Sequence, residues 1–176
     1  MNLSRTFCDA CSIGNVKTVE RLLAHSRLNP AYDDNLAIRV ASSNGHVEIV
    51  RLLLSDKRVD PSACHNNAIC TASGHVEVVH LLLADTRVNP ADRNNETIIW
   101  ASHYGHSEAV KLLLADKRVD SSDEDNKAIL RASFYGHVEV VKLLLQDPRV
   151  DASKAESDYS EIQELLAQWK YHPRFG

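Results

Sequence analysis

The 176-residue sequence predicts an all-α protein, a helix-turn-helix repeat solenoid with short hairpin-like loops. The first observation behind this is a returning stretch. GHVEIVRLLLSDKRVDP runs from Gly45 and returns as GHVEVVHLLLADTRVNP from Gly74, GHSEAVKLLLADKRVDS from Gly105 and GHVEVVKLLLQDPRVDA from Gly136. A diverged copy, GNVKTVERLLAHSRLNP, starts at Gly14, so the glycines stand 31, 29, 31 and 31 residues apart. The second observation is that each copy is apolar around most of a helical circumference. Such a helix needs neighbours that one repeat alone does not supply.

The long helix of each unit shows this pattern most plainly. After His46, Val47, Ile49, Val50, Leu52, Leu53 and Leu54 are apolar, while Glu48, Arg51 and Ser55 share one polar stripe. Glu48 and Arg51 form an i, i+3 pair that recurs as Glu108 with Lys111 and Glu139 with Lys142, and Glu77 faces His80. These are read as a solvated stripe. Upstream of each Gly lies a shorter helix: AIRVASSNG, AICTASG, TIIWASHYG and AILRASFYG. Asn35, Asn66, Asn95 and Asn126 are placed as N-caps of these short helices, and the Gly as their left-handed end. Ala-Ser pairs such as Ala41 and Ser42 permit close helix approach. In the following loop, Arg58 is expected to bond unpaired carbonyls at a helix C-terminus. Asp56 is expected to bond the turn backbone, and Pro61 forbids helix continuation.

The G-H-x-E-V-V-x-L-L-L core and the A-S pair before it resemble the ankyrin repeat. The likeness covers nearly the whole chain. Two departures stand out. The T-P-L-H start of the first helix is absent, with Leu36, Ala37, Ile38 and Arg39 in its place, and the period is 31 where about 33 is usual. One residue is missing on each side of the loop, which makes this a short-loop variety. On this basis residues 1–155 form the array, with repeats at 1–31, 32–62, 63–91, 92–122 and 123–153. Residues 156–170 form a C-terminal capping helix and 171–176 a tail.

Along the chain, Thr6–Ile13 is expected as the first short helix, with Leu3 and Phe7 covering the open end. Cys8 and Cys11 form a lone C-x-x-C. A zinc site needs four ligands, so half-buried thiols are the expected state. The third repeat passes from Ser73 directly to Gly74, lacking the two residues found before the Gly elsewhere. A shorter helix and a notch are expected there. The recurring His46, His75, His106 and His137 lie a repeat apart, too far to share a metal, and are expected to satisfy backbone groups at the turn. Ile162, Leu165, Leu166 and Trp169 share one face of the terminal helix, as a cap requires. His172 and Pro173 stop that helix, and Arg174, Phe175 and Gly176 form a loose tail.

The resemblance implies that the two residues before each Gly point into a concave groove and touch partners. In the fourth and fifth repeats these are His103 with Tyr104 and Phe134 with Tyr135, and Trp100 lies one turn earlier. Aromatic residues at stacked positions make a contact strip, although Trp100 and Phe134 also suit a space-filling role between helices. Asp92, Arg93, Asp123 and Glu124 would rim the strip, and its acids point to a basic peptide as ligand.

A net charge of −4 offers no basic surface for nucleic acid or membrane. The N-terminus MNLSRTFCDACSIG has no apolar signal core, and no run of apolar residues is long enough to span a membrane. A monomer in a reducing, intracellular and cytoplasmic setting is expected. No Ser–His–Asp set, phosphate loop or paired metal ligands can be assembled, and residues at a fixed stride do not converge. The expected function is a non-catalytic scaffold for a protein or peptide, without cofactor or metal. The alternatives are a passive or regulatory repeat segment, or a Cys-based redox or metal sensor.

Overall fold

The computed structural model describes residues 2–171, and among them every regular element is a helix. The chain divides into two compact units, Met1–Pro90 and Ala91–Gly176. The first holds α1 (Leu3–Ser12), α2 (Val16–Leu23), α3 (Tyr32–Ser43), α4 (Val47–Ser55), α5 (Ala63–Thr71) and α6 (Val76–Ala84). The second holds α7 (Asp92–His103), α8 (Ser107–Ala115), α9 (Asp123–Phe134), α10 (Val138–Leu144) and α11 (Ser160–Tyr171). In the first unit α1, α3 and α5 pack side by side in one layer and α2, α4 and α6 in a second. In the second unit α7 packs on α9, α8 on α10, and α10 on α11.

The Leu-rich helices bury what their pattern predicts, but they are not the longer of each pair as expected: α4 has nine residues against twelve for α3, whose first turn holds the positive-φ residues Asp33, Asp34 and Asn35. Ile49, Val50 and Leu53 of α4 are fully buried, as are Ala109, Val110 and Leu113 of α8. Glu48, Arg51 and Ser55 are exposed, and Glu48 meets Arg51 at 3.7 Å. Lys142 differs from the expected pairing: it reaches Glu161 of α11 at 2.9 Å and so ties the terminal helix to α10. Ile162 and Leu166 of α11 are buried and its polar residues face outward. The expected stop at His172 and Pro173 and the tail Arg174–Gly176 lie outside the described residues.

The first helix starts earlier than the apolar pattern suggests, at Leu3, because Asn2 caps it. The Asn2 side-chain oxygen accepts from the backbone N–H groups of Ser4 and Arg5. Phe7 is fully buried. In the third repeat α5 has nine residues against twelve for α3, which is the expected shortening.

Four of the expected left-handed ends hold, at Gly14, Gly45, Gly105 and Gly136; Gly74, which follows the shortened α5, does not take a positive φ. Gly45 has φ +71°, a left-handed conformation in which a side chain is strained, and a Cβ there would stand 2.5 Å from the His75 ring. The His75 Nε2–H donates to the Ser43 carbonyl (3.1 Å), as His46 does to Ser12 (2.9 Å) and His137 to His103 (2.8 Å). The recurring His therefore satisfies the C-terminal carbonyl of the first helix in the preceding repeat. At the C-terminal end Tyr159 takes over the ring position, lying against Gly136, and Ser157 Oγ donates to the Ser133 carbonyl (2.7 Å). The segment before α11 thus imitates the start of another repeat.

The recurring Asn residues are not N-caps. Asp33, Asp34 and Asn35 all have positive φ, and the same triplet recurs at residues 64–66, 93–95 and 124–126. The third position is always Asn, which tolerates this region better than most residues. Its side-chain oxygen accepts from the backbone N–H of the next loop: Asp60 to Asn35 at 2.8 Å, Asn89 to Asn66 at 2.7 Å, Asp120 to Asn95 at 2.7 Å and Asp151 to Asn126 at 2.7 Å. Each Asn side chain therefore bonds the neighbouring repeat, where a cap would bond its own helix.

Arg58 likewise acts on the preceding repeat, where the sequence suggested a local helix end. It donates to the carbonyls of Leu23 (3.1 Å) and Leu28 (3.3 Å), and Arg87 donates to Leu54 (3.0 Å) and Val59 (2.9 Å). Asp56 accepts from the backbone N–H of Arg58, as expected, and also holds its guanidinium at 2.6 Å. The hydrogen bonds from Arg58 keep the Asp56 carboxyl below its ordinary range. At Asp147 burial pushes upward, and the bonds from Arg149 and Ser121 outweigh it.

Three serines at one repeat position, Ser42, Ser102 and Ser133, are fully buried, and their hydroxyls have no hydrogen-bond partner among the described residues. A buried unpaired hydroxyl is destabilising. Ser133→Ala is expected to raise stability by about 0.5–2 kcal/mol in chemical denaturation, since Ala also favours the helix. A loss of stability would mean that the hydroxyl has a partner.

Candidate functional site: an aromatic strip on α7 and α9

Tyr104 and Tyr135 are the C-cap residues of α7 and α9, directly before the left-handed glycines Gly105 and Gly136. The helix ends there, so their side chains project at the rim of the turn. His103 and Phe134 are the last helical residues, and Trp100 lies one turn earlier on α7. The structure brings all five together. The Trp100 and Tyr104 rings stack with centroids 5.7 Å apart and planes 15° from parallel. The His103 ring meets Tyr104 edge-on at 4.6 Å and Tyr135 at 4.4 Å. Phe134 meets Tyr135 at 5.0 Å.

The strip faces outward. Phe134 is 69% exposed, Tyr104 57%, Tyr135 40% and Trp100 38%. Phe134 is therefore no filler between helices, while Trp100 is the least exposed of the four. Trp100 Nε1–H donates to Glu96 at 3.1 Å, which fixes the indole plane. His103 is held below the usual imidazole value, by burial first and then by Arg131 and His137, so it is neutral near pH 7.

The loop residues expected at the rim are bonded within the protein. Asp92 accepts from the backbone N–H of Arg93 (2.8 Å), and Arg93 pairs with Glu96 (2.9 Å). Asp123 accepts from Asn95 (2.9 Å) and Glu124 from Asn94 (2.6 Å). Lys127 also faces Glu124, at 3.6 Å. Asp123 and Glu124, the acids expected to attract a basic ligand, are thus engaged in clasping α9 to the loop of α7. Lys127 and Arg131 were not singled out from the sequence. The signal for Arg131 is its register, 31 residues beyond Trp100 and on the same helix face as Phe134 and Tyr135.

Other groups offer little chemistry. Cys8 and Cys11 are buried, and burial first of all pushes their thiols up to about 11 and about 12. They stay protonated at neutral pH, and it is the thiolate that attacks, is oxidised or binds metal. Among the described residues no group of three or more His, Cys, Asp or Glu side chains is placed to hold a metal ion. None of the described helices is long and apolar enough to cross a membrane.

Helical hairpins that pack on one another within each unit, clasped by repeated His, Asn and Arg bonds, define a helical repeat protein. The ankyrin-repeat family model matches residues 33–67 as one repeat and residues 66–158 as three more copies. The chain belongs to the ankyrin-repeat family. No curated protein matches it. Ankyrin repeats are generally protein–protein interaction modules.

Proposed function

We propose that this chain is a non-catalytic, monomeric scaffold that binds a protein or peptide segment on the aromatic strip of α7 and α9. That face corresponds to the concave groove of the family. One observation carries the reading: Trp100, Tyr104, Phe134 and Tyr135 are all exposed and all joined by ring contacts. Tyr104 and Tyr135 sit at helix ends on a clasped frame, so little side-chain freedom is lost when a partner covers them. Tyr and Trp at such positions are common anchors of binding energy. The spacings of the four cysteines do not recur as a disulfide framework would, which fits a reducing, intracellular compartment. The test is affinity capture with the wild-type chain and with Tyr104→Ala/Tyr135→Ala, folding being checked by thermal melting.

A further inference from the structure

A cleft of about 240 Å³ opens between α7 and α9 beside the strip. It is smaller than the usual small-molecule site and of a size for a side chain. Trp100 and His103 form part of its wall, and the charged residues there are Arg93, Glu96, Glu124, Lys127 and Arg131. Both carboxylates face cations of the protein itself, although the buried Glu96 Oε2, 2.9 Å from Arg93 Nε, accepts no hydrogen bond among the described residues. Glu96 receives Trp100 Nε1–H and pairs with Arg93, while Glu124 receives Asn94 and faces Lys127. Arg131 is exposed and makes no ion pair or side-chain hydrogen bond among the described residues. His103 is neutral and adds no charge. Asp125 is an exposed acid on the same loop, but it does not line the cleft.

The cleft therefore presents one uncommitted guanidinium next to an aromatic wall. Resting on the reading of the strip as the docking face, we infer that the partner segment carries an Asp or Glu that enters this cleft and pairs with Arg131. An adjacent apolar side chain of the same segment packs on Tyr104 and Tyr135. Arg131, Phe134 and Tyr135 stand at i, i+3 and i+4 on α9, so a short stretch of peptide reaches both contacts. A planar guanidinium suits bidentate recognition of a carboxylate, and the indole and imidazole walls exclude water from one side. This reverses the ligand charge suggested by the loop acids, because those acids are already bonded within the protein.

The experiment pans a phage-displayed random dodecapeptide library on the wild-type chain, on Arg131→Ala, on Arg131→Glu and on Tyr104→Ala/Tyr135→Ala. The wild type is expected to select peptides with Asp or Glu close to an aromatic or Leu residue. Alanine at that acid weakens a selected peptide roughly tenfold to a hundredfold. Arg131→Ala loses the acid preference, and Arg131→Glu selects Lys or Arg in its place. Arg131 is exposed, so both variants are expected to melt as the wild type does. Suppose that peptides require Tyr104 and Tyr135 yet show no acid preference, or bind Arg131→Glu undiminished. The inference then fails while the docking reading stands. Selection of no peptide, or of the same peptides by the Tyr variant and the wild type, overturns both.

Discussion

Replacing Tyr104 and Tyr135 together by alanine is expected to abolish partner capture and to leave the melting transition in place. Both rings are exposed and neither lies between helices. Surface truncations of this kind change stability by only about 0.5 kcal/mol. Their contribution to binding is larger. Each of two central anchors can carry about 2 kcal/mol or more, so loss of the pair weakens binding by roughly a thousandfold. The helix-end carbonyls keep their partners, because the His137 bond runs to the backbone of His103 and not to a tyrosine. Undiminished capture by a folded variant would move the contact to another face, the outer faces of the Leu-rich helices being the next candidate.

Leu53→Ala is expected to cost about 2–5 kcal/mol. Leu53 is fully buried in α4, which packs between α2 and α6 in the same layer and against α3. Bonds between repeats hold the loops around α4. Asn35 holds Asp60, and Arg58 holds Leu23 and Leu28. The frame is thus poorly able to collapse onto the cavity, which places the cost in the upper part of the range. Denaturant titration checks it. A loss below about 1 kcal/mol would show that α4 is not packed as described.

The repeat architecture was legible because the stretch recurs at a stride of 31 residues, once shortened to 29, and each Leu-rich segment is apolar on more sides than one hairpin can cover. The His role was legible too, since identical residues one repeat apart cannot converge but can each serve a turn. The Asn and Arg roles were misplaced for a common physical reason. Sequence neighbours suggested local caps, whereas the carbonyls and N–H groups they serve belong to an adjacent repeat more than twenty residues away. The positive φ at Asp33, Asp34 and Asn35 left no pattern in residue type except at the third position. The five aromatic residues were legible through the ankyrin likeness, which assigns the two positions before each Gly to the partner face, with Trp100 one helical turn earlier. Arg131 was not, because an Arg on a helix face looks like a solvated charge until its neighbours are seen to be paired with one another.

The central claim is that a partner covers the strip on α7 and α9. The most direct measurement follows the two Trp indole N–H signals by NMR while a captured partner is titrated in. Trp100 lies in the strip and donates to Glu96, whereas Trp169 lies on α11. The account predicts that the Trp100 signal shifts with saturation and the Trp169 signal does not. A saturating partner that leaves Trp100 unmoved while amides of α8 or α10 shift would contradict it.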